Sequence, residues 1–196
     1  MHTAEYELKY LETASQQLEK YLLSDVLYWP VGISQPEGLP PYPRLTIGGI
    51  LLAELHADVT CQNNNEKSRL IYIKAEIENV RSSWGVFWDK KGVREFNSRM
   101  NLWKNFLEDY QENPSSQFDR YAYETRHRVQ LELLQEDISI NRNSLELLAV
   151  LDKKLLSFFR SGNFIWEKDL MNAYPPGPYW FLYGSLPEFK TGTEFK

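Results

Sequence analysis

The stretch LIYIKAEIENVRSSW, residues 70–84, and the stretch VREFNSRMNLWKNFLEDY, residues 93–110, decide the fold class of this chain. Both carry large apolar residues at alternating intervals of three and four. That spacing places them on one side of an α-helix, in a stripe as narrow as packing of helix against helix requires. The apolar positions are Leu70, Ile73, Ile77, Val80, Trp84, Val93, Phe96, Met100, Trp103, Leu107 and Tyr110. The two stretches predict a mainly helical protein.

The apolar stripe changes phase between its two halves. The change falls between Trp84 and Val93, in a segment that also contains Gly85 and Gly92. Glycine lowers helix propensity, and a change of phase rotates the stripe around the helix. We therefore expect either one long helix over residues 67–110 with a kink, or two helices.

Four further helices are predicted on either side of this central region, over residues 4–24, 47–60, 117–137 and 143–159. Thr46 is a good N-cap for the second helix of the chain. Asn143 and Glu146 have the spacing of a capping box for the last one. The predicted fold class is therefore all-α, a helical bundle of about five helices with one long, kinked central helix.

Two irregular segments flank the predicted bundle. Residues 25–44 contain five prolines and two glycines, which forbid a continuous helix, and residues 161–196 are less regular than the rest. Each segment carries an aromatic run, at residues 27–29 and 179–183, and these runs could pair as strands or pack their rings on the helices. We interpret residues 1–196 as a single helical domain with an irregular connection and a C-terminal extension.

Composition and charge indicate the compartment in which the protein works and argue against a secreted or membrane-spanning protein. The chain has 196 residues, a formal net charge of −5 and a single cysteine, Cys61, so an internal disulfide is excluded and a reducing compartment is indicated. The first ten residues lack the basic and then apolar pattern of a secretory signal. The longest uncharged stretch, residues 170–187, is interrupted by prolines, so no membrane-spanning helix is expected. These features predict a cytoplasmic protein.

Histidines are the first candidates for a chemical site. Glu124 and His127 have the i, i+3 spacing that carboxylate-bridged di-iron bundles use, but a second pair of this kind is absent from the sequence. Three histidines supply few of the ligands that a closed metal site needs. We therefore interpret His127 as a packed histidine, and predict no metal and no other cofactor.

The segment TIGGILLAELH, residues 46–56, and the segment HRVQ, residues 127–130, resemble the second and fourth helices of the DinB-like metal-binding bundles. That resemblance implies a divalent metal held by histidines on facing helices, with His56, Glu124 and His127 as its ligands here. The chain departs from the pattern where Tyr123 stands one turn before His127. A metal-dependent helical-bundle enzyme is thus the alternative to a protein without catalysis.

A basic stripe on the central helices is the candidate for anion or nucleic-acid binding. Its members, with two arginines of the following helix, are Lys90, Arg94, Lys104, Arg126 and Arg128. The same helices carry acids at ion-pairing distance along the chain, and the whole chain is acidic. We therefore favour a solvated, paired face over a nucleic-acid groove, and keep the groove as a second alternative.

Aromatic residues in the irregular segments are the candidates for contact with a partner protein, because large rings dominate binding energy at interfaces. They are Trp29, Tyr42, Trp166, Tyr179 and Trp180. The sequence shows no phosphate loop, and no nucleophile with an adjacent base. We therefore expect a non-enzymatic protein that binds another macromolecule, as an accessory or scaffold subunit of a complex. The sequence does not identify the partner.

Overall fold

The computed structural model of the protein describes residues 3–188, beginning with helix α1, Ala4–Leu23. The helix starts where the side chain of Thr3 accepts a hydrogen bond from the backbone N–H of Tyr6. Its buried stripe contains the leucines expected from the sequence: Leu8, Leu11, Leu18 and Leu22. Helix α1 ends one residue before the predicted boundary and packs on α2 and α3, whose bounds are given below.

Helix α2, Ile47–Thr60, has the predicted bounds, and the predicted N-cap is confirmed because the Thr46 hydroxyl accepts from the N–H of Gly49 at 3.0 Å. A side chain at position 49 would collide with helix α1, since a Cβ there would lie 2.8 Å from the hydroxyl of Tyr10. Glycine at this position therefore allows α1 and the start of α2 to approach closely.

The central region forms two helices, α3 over Asn64–Ser83 and α4 over Gly85–Glu112. The backbone leaves the helical conformation at Trp84, whose φ and ψ are −123° and 29°. Of the two possibilities for the central region, the structure therefore shows two helices rather than one kinked helix. Helix α3 starts three residues before the predicted boundary because Asn63 and Glu66 form a capping box, which we did not anticipate there.

Three helices follow: the single turn α5, Pro114–Gln117, then α6, Tyr121–Asp137, and α7, Arg142–Leu156. Asn141 caps α7 by accepting from the N–H of Ser144, so the predicted capping box at residues 143 and 146 is wrong. Asn141, two residues before Asn143, accepts the hydrogen bond from the first turn of the helix instead. Helix α7 also ends three residues earlier than predicted.

Two short strands lie in the C-terminal part of the described chain. Strand β1, Arg160–Phe164, pairs in antiparallel orientation with β2, Tyr183–Ser185. The run at residues 27–29 forms a single bridge elsewhere, between Trp29 and Leu45. Of the two possibilities that the sequence leaves open for the aromatic runs, pairing with each other as strands is not observed. Short 3-10 turns cover Phe118–Arg120, Lys168–Ala173 and Trp180–Leu182.

The protein is mostly helical, with seven α-helices and two short strands within residues 3–188, which supports the all-α class. The chain divides into two compact units. Unit 1 comprises the residues up to Phe96 together with Leu133–Ser139, and unit 2 comprises Asn97–Glu132 and the residues from Ile140 onward. The single domain remains a prediction. In the described part of the chain, no helix is both long and apolar enough to cross a membrane.

Candidate functional site

A cleft in unit 1 is the candidate functional site, and helix α2 forms one of its walls. The N-terminus of α2 is held firmly, because the fully buried carboxylate of Glu95 accepts a hydrogen bond from the N–H of Gly48 at 2.9 Å. A carboxylate at a helix N-terminus also interacts favourably with the helix dipole. The position of the residues further along α2 is thereby set, Glu54 among them.

The cleft contains two adjoining cavities of about 240 and 250 Å³. Both are open to solvent, and both are lined by Leu51, Glu54 and Lys74. The remaining lining comes from α2, α3, the first turn of α4 and the end of α6: Leu55, Asp58, Ile77, Glu78, Arg81, Trp88, Leu133, Glu136 and Asp137. Each cavity is smaller than the roughly 300–1,000 Å³ of a typical small-molecule site.

Both basic side chains of the cleft are already engaged by carboxylates. The Lys74 ammonium donates to both carboxylate oxygens of Asp58 at 2.8 Å. The Arg81 guanidinium forms an ion pair with Asp137 at 2.8 Å, and the Trp88 indole N–H donates to the other oxygen of Asp137 at 2.7 Å. An incoming anion would therefore have to share these cations with Asp58 and Asp137.

Glu54 differs from these paired groups. Within residues 3–188, no hydrogen bond or ion pair to its carboxylate is found. Burial raises the pKa of Glu54 to about 7, since Lys74 and Arg81 offset the burial and the nearby carboxylates only in part. About half of the molecules therefore carry an ionised Glu54 at neutral pH.

The cleft can perform two kinds of chemistry. A carboxyl group that is half-ionised at neutral pH can exchange a proton, and it can form an ion pair with a cation that enters the cleft. Apolar side chains, including Leu51, Leu55 and Ile77, provide contact area beside it. The arrangement of one unpaired carboxylate among apolar side chains favours the binding of a side chain that is cationic at its tip and apolar along its stem.

Sequence reasoning missed Glu54, although one signal was present. The ten residues from Ile47 to His56 contain a single charged residue, Glu54, in an otherwise uncharged part of a predicted helix. A lone carboxylate in such a helix must find a partner or shift its pKa. The rest of the lining could not be found in this way because residues 51–88 and 133–137 meet only in the folded chain.

The three candidate metal ligands are divided between the two units. In unit 1, His56 contacts the buried carboxylate of Glu7 at 3.4 Å. In unit 2, Glu124 and His127 face each other at 3.7 Å, as their spacing suggests. Among the described residues, no group of three or more histidine, cysteine, aspartate or glutamate side chains could hold a metal ion.

The hydrogen bond between His127 and Arg99 fixes the tautomer of the histidine ring. The Arg99 guanidinium lies 3.2 Å from Nδ1, and because arginine only donates, Nδ1 is the acceptor and the ring proton sits on Nε2. Burial and the charges of Arg99 and Arg126 lower the pKa of His127 to about 4. His127 is therefore neutral at pH 7, and its Nδ1 is engaged by Arg99 within unit 2.

The predicted basic stripe consists of residues with partners inside the protein. Lys90 lies over the ring of Phe87, and Arg94 donates to the backbone carbonyl of Asp25. Lys104 pairs with Glu108 at 3.8 Å. The two arginines of α6 are engaged more deeply: Arg126 stacks over Tyr123, and the buried Arg128 binds Asp152 with two hydrogen bonds of 2.9 Å.

The five rings proposed as partner contacts are buried or half-buried. Their partners lie within their own units: Trp29 donates to Gln17, Tyr42 stacks on Tyr6, Trp166 donates to the carbonyl of Ala122, Tyr179 packs edge-on against Tyr174, and Trp180 against Phe159. None is among the large exposed apolar side chains of the described chain. A contact role for these rings stays a prediction.

Comparison with known proteins adds no family to this description: no family model, curated protein or solved structure matches the chain. A proposal about function therefore rests on the geometry of the Glu54 cleft.

Proposed function

We propose that this protein binds another macromolecule through the Glu54 cleft of unit 1, without catalysis of its own. The observation that carries the proposal is the unpaired carboxylate of Glu54, which lies between apolar side chains in a cleft open to solvent. Charges left unpaired at such positions cost folding free energy and are typical of functional sites. The cytoplasm and a role as an accessory subunit of a complex are part of this proposal.

The size and shape of the cleft favour a macromolecular partner over a small substrate. Both cavities are open to solvent rather than enclosing, and each accommodates one side chain of a partner. The neighbouring apolar side chains then exclude water around that contact, as they do around the anchoring residues of protein interfaces.

Site-specific photo-crosslinking tests the proposal. A photoreactive residue is placed at Leu55, in the cleft, and in a control protein at Glu76, which is exposed on α3 and does not line the cleft. Proteins attached at position 55 but not at position 76 are identified by mass spectrometry and purified. Their binding to the unmodified chain is then measured.

Two substitutions decide whether such a partner uses the cleft. Leu55→Arg places a cation beside Glu54 and is expected to abolish binding, whereas Tyr72→Arg adds the same charge at a position that is 68% exposed and should not matter. The proposal fails if position 55 gives no specific adduct, or if both substitutions weaken the purified complex equally.

A further inference from the structure

We infer that the partner of the Glu54 cleft is a protein segment that presents a lysine or arginine between apolar residues, with its cationic group paired to Glu54. This inference rests on the proposed function and names the chemistry of the partner. Charge complementarity carries it, because within residues 3–188 both cations of the cleft are paired with carboxylates, whereas the carboxylate of Glu54 is not paired.

The distribution of charge along the cleft disfavours an anionic partner. Five carboxylates line the two cavities, against two basic side chains: Glu54, Asp58, Glu78, Glu136 and Asp137 against Lys74 and Arg81. Both basic groups already form ion pairs of 2.8 Å. A phosphate or an acidic peptide would have to share Lys74 and Arg81 with Asp58 and Asp137, and would meet the remaining carboxylates at close range.

The apolar part of the lining specifies the residues that flank the cation. Leu51, Leu55, Ile77 and Leu133 come from three different helices and surround the position of Glu54. Long basic side chains bury their methylene stems against such surfaces while the charged group reaches a polar partner. A segment with leucine or a similar residue next to its lysine or arginine would therefore cover both parts of the cleft.

Binding of a cation is expected to depend on pH. The groups that face Glu54 are Asp58 on α2, Lys74, Glu78 and Arg81 on α3, and Glu136 and Asp137 on α6. Glu54 has to lose its proton before it pairs with a cation. Since its pKa is about 7, the ionised fraction, and with it the affinity, should rise about tenfold between pH 6 and pH 8.

A pair of labelled helical peptides tests the inference by fluorescence anisotropy. One peptide carries leucine and lysine on one face, and the other carries leucine and glutamate in the same positions. The leucine and lysine peptide should bind, with an affinity that Glu54→Gln lowers at least about tenfold, as expected for loss of a hydrogen bond to a charged group. The leucine and glutamate peptide should not bind.

A matched control separates this effect from general attraction to an acidic protein. Glu76→Gln removes one negative charge from the same unit, on an exposed part of α3 outside the cleft, and should leave the affinity and its pH dependence unchanged. Glu54→Gln should abolish the pH dependence between pH 6 and pH 8.

Four results would overturn the inference, three with the peptides or the chain alone and one with a crosslinked partner. The first is equal weakening by the two substitutions, and the second is tighter binding of the leucine and glutamate peptide. The third is a dimer of the chain that Glu54→Gln dissociates in light scattering, since a second copy would then occupy the cleft. If a partner found by crosslinking at position 55 binds independently of Glu54, the proposed function survives and this inference fails.

Discussion

Replacing Glu54 with Gln is expected to stabilise the protein at pH 8 and to have little effect near pH 4.5. Burial raises the pKa of Glu54 from 4.5 to about 7. Between these two values the folded protein binds more protons than the unfolded chain, so the free energy of unfolding falls as the pH rises. The cost is fully developed above pH 7, and glutamine, which carries no charge, removes it.

The difference between the two pKa values sets the size of this effect. At about 1.4 kcal/mol for each unit of pKa, the full difference corresponds to about 3 kcal/mol. Because the Glu54 side chain stays partly open to water, we expect a gain of about 1–3 kcal/mol at pH 8. In a chain of this length, that gain raises Tm by about 3–9 °C.

Thermal unfolding followed by far-ultraviolet circular dichroism measures the effect, with the wild type, Glu54→Gln and Glu76→Gln compared at pH 5 and pH 8. The comparison between variants is essential because His127 acts in the opposite direction. Its pKa is lowered to about 4, so it contributes stability that increases as the pH rises from about 4 to 6.5. An equal change in Tm at both pH values, or a loss of stability in Glu54→Gln at pH 8, would refute the reasoning.

Three further predictions concern unit 2 and the basic residues. Arg128→Ala should lower the free energy of unfolding by about 3–5 kcal/mol in urea titrations, because it leaves the carboxylate of Asp152 without its buried partner. Gly184→Ala should cost about 1–3 kcal/mol in the same assay, since a Cβ would overlap the backbone of the opposing strand. Titration with labelled single- and double-stranded DNA and RNA should show no saturable binding at moderate salt. The double substitution Arg94→Glu, Lys104→Glu should give the same result, and binding that this variant abolishes would contradict the prediction.

The helices with regular apolar stripes were the most predictable part of the fold. Helices α1 and α2 have nearly the expected bounds. In each, the apolar periodicity begins next to a threonine that caps the helix, Thr3 before Ala4 and Thr46 before Ile47. Helix ends were harder to predict where several asparagines compete, as at residues 141 and 143. The strand pairing was missed because β1 and β2 depend on contacts over about twenty residues of irregular chain, which local patterns do not contain.

The candidate site was less predictable than the fold. The sequence places Glu124 and His127 on one helix face, and they do contact each other, but the arginine that fixes the His127 tautomer comes from α4. Glu54 becomes informative only through its lack of a partner. Aromatic residues are ambiguous for a related reason, since in a sequence a ring such as Tyr179 suits a protein core and an interface equally well.

The division of the chain has a consequence for its synthesis on the ribosome. Unit 1 includes Leu133–Ser139, which follow Phe96 by more than thirty residues. Until that segment has been translated, Trp88 and Arg81 lack the Asp137 carboxylate that holds both of them. At roughly 5–20 residues per second, the nascent chain spends several seconds in this incomplete state. The Glu54 cleft is therefore completed late, and a chain cut after Phe96 would lack one of its walls.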